Sequence, residues 1–214
     1  MLFRSVITGD IVRSTSISAE WRNRLYSSLS DVVNNHYGIG EDHFEIYRGD
    51  SFQIVVEDAM RAVEIAIAIR LRLKAETPKG DEPWDSRMSV GLGEISFIGE
   101  TISTSDGEAF RNSGREFDIL GKRRLAIVMP WSDVNAELAV STALIDDIIS
   151  NVTVKQANIV YHKIVSRLSQ KDLATKLAVS TQNLNRIWLS GKGNLVELYL
   201  KRCNTLISNF LNQE

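Results

Sequence analysis

The chain has a single cysteine, Cys203, so no internal disulfide braces it, which suits a reducing compartment. Three prolines in 214 residues leave long stretches free for regular structure, and two of them fall in one loop, "TPKGDEPWDS". The three histidines, His36, His43 and His162, are too scattered to give a zinc spacing. A membrane-spanning run is also missing, because the most apolar stretch, "AVEIAIAIRLRL", is interrupted by Glu64, Arg70 and Arg72. The opening "MLFRSVITGDIV" carries an arginine and an aspartate within its apolar run, unlike a secretion signal. No internal repeat or low-complexity segment occurs. The expectation is a soluble, cytoplasmic protein with no membrane partner. Its 43% hydrophobic content is enough for one large domain or two modest ones.

The net charge of −2 conceals an asymmetry. Residues 1–151 hold 16 Lys and Arg against 24 Asp and Glu, whereas residues 152–214 hold 9 against 3. An acidic body suits a metal, and a basic tail suits a polyanion.

The first 130 residues alternate strand and helix signals. Strands are expected at 2–8, on both sides of Gly49-Asp50, at 87–95 and at 124–130, with a short β-rich run near 97–102. Helices are expected at 19–36, 59–76, 107–120 and 132–150. The order β-α-β-β-α-β defines an α+β, ferredoxin-like split βαβ domain with helices on one face of an antiparallel sheet. Beyond 150 the strand signals stop. Four helices follow, at 153–166, 169–178, 181–190 and 194–211. This divides the chain into an α+β domain, 1–151, and a small all-α domain, 152–214. With neither proline nor a glycine cluster at the junction, the join is expected to be rigid, by near-continuous helix.

Asp10 interrupts the apolar strand "VITGDIV", where a bare carboxylate costs several kcal/mol unless a cation or N–H donors offset it. Asp50 sits at the tip of the hairpin "HFEIYRGDSFQIVV". A lone Gly-Asp is ordinarily a turn residue. If strand 1 lies beside that hairpin, however, two carboxylates share one sheet edge, and a divalent cation relieves their repulsion. Oxygen ligands with open water positions suit Mg²⁺ or Mn²⁺, which bridge carboxylates to nucleotide phosphates.

Four stretches, taken in order, resemble a known family. "ITGDIVRSTSIS" is similar to the metal-binding strand of class III nucleotidyl cyclase catalytic domains, and "YRGDSFQIVV" to their second metal motif. "SVGLGEISFIG" resembles their central strand, and "DGEAFRNSGREFD" the helix that carries their transition-state residues. The wording "RGDSFQ" with "GEAF…SGRE" also resembles the SatD family, bacterial proteins that pair such a domain with a helix-turn-helix. The resemblance covers roughly residues 3–130. It implies metal ligation by Asp10, Asp50 and the Ile11 carbonyl, and triphosphate contact through Ser14 and Thr15. It also implies base contact by Thr104 and charge stabilisation by Arg115. Two departures stand against it: Arg111 replaces the transition-state asparagine, with Asn112 one step off, and Ile46 replaces the purine-reading lysine. The resemblance therefore implies nucleotide binding or unusual nucleotidyl transfer rather than ordinary cyclisation of ATP.

In the tail, "LSQKDLATKLAVSTQNLNRIWLSG" has helix-turn-helix spacing, with Leu173, Ala174, Leu177, Val179, Leu184 and Ile187 apolar and Ala178 at the turn. The second helix of such a motif enters the major groove by its first residues, here Thr181, Gln182, Asn183 and Arg186. Lys171, Lys176, Lys192, Lys201 and Arg202 are placed to meet phosphates. The competing reading is a helical hairpin for dimerisation. The tryptophans Trp21, Trp131 and Trp188 and the buried-type Cys203 read as packing residues. The main expectation is a homodimeric transcriptional regulator that binds double-stranded DNA. Its cyclase-like domain binds metal or nucleotide, or mediates dimerisation. The alternatives are an active nucleotidyl cyclase or related nucleotidyltransferase using two Mg²⁺ or Mn²⁺ ions, and a structural dimer with a relic site.

Overall fold

A computed structural model describes residues 3–166 and 168–212. The central strand is β1 (Phe3–Ile11), flanked antiparallel by β3 (Ser51–Val56) and β4 (Ser86–Phe97). At one edge β2 (Phe44–Tyr47) pairs with β3. The two-residue β5 (Asp106–Gly107) meets the far end of β4, and β6 (Leu125–Val128) lies parallel to the beginning of β4. Because β3 lies between β1 and β2, and β1 between β3 and β4, both crossovers straddle a strand, which is the split βαβ order. The crossover helices are α1 (Ala19–Ser30) and α2 (Ala62–Ala75). A third helix, α3 (Glu108–Asp118), links β4 to β6.

Side chains alternate along β1. Ile7 and Ile11 enter the main core with Ile54, Met88 and Val90, while Val6 faces the other way beside Val55. That second face is covered, which corrects the expectation of helices on one face only. Ala109 and Phe110 of α3 pack on Val6 and Val55, and the Ser113 and Thr8 hydroxyls meet at 3.0 Å. The physical reason is the parallel β4–β6 pair, which needs a crossover helix, while α1 and α2 already fill the first face. Gly91 admits α3: a Cβ there would sit 2.3 Å from the Ser113 nitrogen.

Three local features differ from the sequence reading. The helix expected over 19–36 is α1 followed by a wider π turn at Asp31–His36. The β-rich run near 97–102 does not join the sheet as a strand. There the Thr104 hydroxyl accepts from Thr101 N at 3.1 Å and the Ser105 hydroxyl from Gly99 N at 3.0 Å, giving the backbone partners outside a ladder. The helix α4 (Ser132–Asn151) does not run on into the tail. Val152 is extended, and Thr153 and Gln156 form a capping box that starts α5 (Val154–Val165) afresh.

Eleven of the fourteen residues of α2 are buried, because the helix is enclosed on the sheet side and again by α5. The remaining helices are α6 (Gln170–Lys176), α7 (Thr181–Ser190) and α8 (Gly193–Leu211). One hydrophobic cluster runs from Ile7 to Ile207, across the 151/152 boundary. Trp131 stacks on both Phe3 and Phe210, at 5.8 and 4.7 Å, and Thr142 meets the Tyr199 hydroxyl at 2.6 Å. The tail is built into the body.

Candidate functional site

The last residues of β1 and the β2–β3 turn meet at one end of the sheet. Arg48 and Gly49 take consecutive left-handed conformations, with φ of 53° and 84°, and reverse the chain so that Asp50 stands at the tip. Asp10 is paired across the ladder with Ser51, and Ile11 N donates to Asp50 O at 3.0 Å. Asp10 and Asp50 therefore occupy adjacent positions. The Tyr26 hydroxyl donates to the Gly49 carbonyl and ties α1 to this turn.

The two carboxylates are partnered differently. On the opposite side of β1, Arg87 of β4 is in register with Asp10 and forks onto it, Nε to Oδ1 at 3.0 Å and Nη2 to Oδ2 at 2.5 Å. The Asp10 carboxylate, by this hydrogen bond above all, raises the pKa of the Arg87 guanidinium. Arg87 also donates to Gly121 O at 3.2 Å and lies over the Phe117 ring at 5.5 Å. Asp50 accepts from the Ser14 hydroxyl at 2.6 Å. Ser14 begins a single 3-10 turn, Ser14–Ser16, that follows left-handed Arg13, and Thr15 in that turn is exposed.

As it stands, this donor set does not fit a divalent cation. Both oxygens of Asp10 are engaged by the Arg87 guanidinium, and no group of three or more His, Cys, Asp or Glu side chains placed to hold a metal occurs among the described residues. The guanidinium supplies the positive charge that relieves the carboxylate pair.

None of the other residues singled out in the sequence is hydrogen-bonded to this pair among the described residues. Thr104 follows the far end of β4 from Arg87, and its hydroxyl is used within its own turn, accepting from Thr101 N and donating to Thr101 O. Arg115 is exposed on α3. Arg111 pairs with Asp106 at 2.9 Å, which ties α3 to β5, and Asn112 donates to Leu92 O at 2.8 Å, which ties α3 to β4. Ile46 is partly exposed on β2.

A buried charge cluster went unread in the sequence. Arg70, fully buried in α2, forks onto Asp85 at 2.9 and 3.1 Å and donates to Asp146 at 2.7 Å. Lys74, one turn further along α2, reaches Asp85 at 3.4 Å and Ser150 O at 3.1 Å. Arg124 donates to the same Asp85 oxygen at 2.5 Å. The signal was present as two cations four residues apart inside an apolar helix.

In the tail, Ala178 takes a left-handed conformation, φ 53°, between α6 and α7, and Val179 N donates to Ala174 O across the turn. Ser180 caps α7 by accepting from Asn183 N at 3.2 Å. Leu173, Ala174, Leu184 and Trp188 are buried, while Thr181, Gln182 and Arg186 are exposed. Asn183 is half-buried and holds Arg186 by its Oδ1, at 2.9 Å. Lys171, Lys176 and Lys192 are exposed, whereas Lys201 and Arg202 are paired with Glu197 and Glu137.

No family model and no curated protein matches the chain. Among solved structures, a bacterial light-regulated adenylyl cyclase is similar, at 13% identity and a TM-score of 0.38. The match covers 59% of this chain and 75% of that one. A TM-score this low carries neither fold nor activity from one protein to the other. The class defined here is therefore the chain's own: a mixed α/β sheet protein with an integral helical tail. No helix among the described residues is long and apolar enough to cross a membrane.

Proposed function

We propose that the protein is a transcriptional regulator that binds double-stranded DNA through α7. Its sheet domain, similar in motif order to nucleotidyl cyclases and SatD-like proteins, then serves as a nucleotide-responsive or dimerising body. The observation that carries this reading is the α6–α7 unit. Left-handed Ala178 turns the chain between two short helices, as a helix-turn-helix requires, and Thr181, Gln182 and Arg186 stand exposed on the first turns of the second helix. Glutamine suits an adenine edge, and arginine suits guanine or phosphate. The tail's surplus of basic residues supports the same reading, with Lys171, Lys176 and Lys192 placed for phosphates. A homodimer would present two such helices to half-sites about 34 Å apart.

The test uses the full chain, because cutting at 151 would bare the side of α2 that α5 covers. Anisotropy titrations against genomic fragments are expected to show binding that falls steeply with salt. Arg186→Ala is expected to weaken it by about 1–3 kcal/mol if the arginine reads a base, and by less if it touches phosphate alone. No binding at low salt, or undiminished binding by a Gln182→Ala/Arg186→Ala double variant, rejects the reading.

One observation favours a second reading, a nucleotidyl cyclase or related nucleotidyltransferase: Asp10 and Asp50 lie adjacent, with Ser14 on Asp50. That reading requires Arg87 to release Asp10. Incubation with ATP or GTP and Mn²⁺ is accordingly expected to give little or no cyclic monophosphate. Robust turnover that vanishes in Asp50→Ala would promote the enzyme.

A further inference from the structure

Beneath the Ser14–Ser16 turn, on the α2 side of the sheet and away from the Asp10 side chain, a cleft of about 550 Å³ opens to solvent. Its floor is the edge of the buried charge cluster, where Lys74 is all but buried and Arg124 is part-exposed, and its walls include Trp21, Trp84 and Pro83. Within the cluster three cations, Arg70, Lys74 and Arg124, face two carboxylates, Asp85 and Asp146. Within the cluster itself cations outnumber carboxylates by one. Lys74 and Arg124 donate to the same oxygen, Asp85 Oδ2, so the two cations lie side by side where the cleft reaches them. Lys74 is only 1% exposed, which keeps water from screening it.

We propose that this cleft binds an organic anion with one acidic group, its carboxylate or phosphate-type oxyanion against Arg124 with Lys74 directly behind, and an apolar or aromatic body between the tryptophan-lined walls. Three features fix that class. The surplus at the floor is one charge, not several. At the mouth stand exposed Asp81 and Glu82, the latter paired with Arg13, and these acids oppose a polyanion such as a nucleoside triphosphate. The volume exceeds what a bare inorganic anion fills, and the wall has an apolar part, Val12 and Ile17 beside the tryptophans, next to Ser16, Ser18 and Ser150. Burial, with Arg70 and Arg124 adding to it, pulls the Lys74 pKa below the ordinary lysine value despite Asp85, as expected of an ammonium short of anionic partners.

The test is a titration of the full chain with benzoate, phenyl phosphate and neutral benzyl alcohol, read by calorimetry and by tryptophan fluorescence. Saturable one-to-one binding of benzoate or phenyl phosphate is expected, with benzyl alcohol about tenfold weaker or more. Which of the two anions binds tighter decides between a carboxylate and a phosphate source. Lys74→Met is expected to lose about tenfold or more in affinity for the better anion. Asp81→Asn/Glu82→Gln, confined to exposed positions, is expected to gain about threefold and serves as the arbiter if Lys74→Met fails to fold. Asp50→Asn is expected to bind the anion as the wild type does, which separates this cleft from the carboxylate pair. Equal affinity for benzyl alcohol, no saturable binding of either anion, unchanged affinity in a folded Lys74→Met, or no gain in the mouth variant overturns the proposal.

Discussion

Arg87 grips Asp10 and Arg70 grips Asp85 with the same two-pronged geometry, one pair at the open end of β1 and the other beneath α2. In the first, the side chains are 36% and 19% exposed; in the second, both are 0% exposed. Water can replace either partner of the outer pair at little cost, so that pair is exchangeable, and a different cation could take the arginine's place. Nothing replaces the inner pair. There Asp85 also holds Arg124 and Lys74, and Arg70 also holds Asp146 and the Ser150 hydroxyl at 2.9 Å. Identical chemistry thus yields a part-exposed surface pair in one place and a buried structural joint in the other, and burial makes the difference.

The largest effect expected from breaking this contrast is at the joint. Asp85→Asn leaves three cations facing one carboxylate and is expected to cost about 3–5 kcal/mol in chemical unfolding. A loss below about 1 kcal/mol would show that water reaches the cluster. The same group sets an acid limit. Burial alone would raise the Asp85 pKa, but Arg70, Lys74 and Arg124 outweigh it and hold the carboxyl at about 2. Its contribution is therefore present above the ordinary value of 3.8 and disappears as pH falls through about 2.

A milder effect comes earlier on acidification, at the seam between body and tail. His162 of α5 is held neutral, with a pKa of about 4, by burial first and then by Lys176, Arg72 and His36. Below pH 6.5 the unfolded chain takes up a proton that the folded chain refuses, so stability falls as pH drops from 6.5 towards 4. Allowing for solvent near a half-buried ring, the loss is about 2 kcal/mol. Urea midpoints at pH 7 and pH 4.5 check it. His162→Gln is expected to flatten the difference, and an unaltered slope would place the acid sensitivity elsewhere.

Much of the chain order could be read directly from the sequence. The apolar spacing of Leu173, Ala174, Leu177, Val179, Leu184 and Ile187 marked the tail helices, and Gly49-Asp50 marked the hairpin, because those signals are local. What escaped depends on register. Arg87 and Asp10 are 77 residues apart, and only the pairing of β1 with β4 puts them opposite one another. The charge cluster draws on α2, the loop before β4, the start of β6 and α4, four segments with no common motif. The second covered face escaped because α3 reads as an ordinary amphipathic helix; Gly91, which receives it, looked like one more strand glycine. The tail looked separate in composition, yet eleven of the fourteen residues of α2 are buried, and α5 covers one side of it.

The smallest expected change in stability sharpens the contrast most. Arg87→Ala removes a half-exposed fork, a cation over Phe117 and a bond to Gly121 O, and is expected to cost about 1 kcal/mol. It also leaves Asp10 beside Asp50 with no positive neighbour in register. Two carboxylates at adjacent ladder positions then repel, and a divalent cation with oxygen preference is the simplest relief. Calorimetry is therefore expected to show Mn²⁺ binding in Arg87→Ala that is absent or much weaker in the wild type, and lost again in Arg87→Ala/Asp10→Asn. If the arginine variant binds no more Mn²⁺ than the wild type, the carboxylate pair is not a cation site with its cation replaced. Asp10 is then simply the strand's partner for Arg87, and the outer fork, like the inner one, serves the fold.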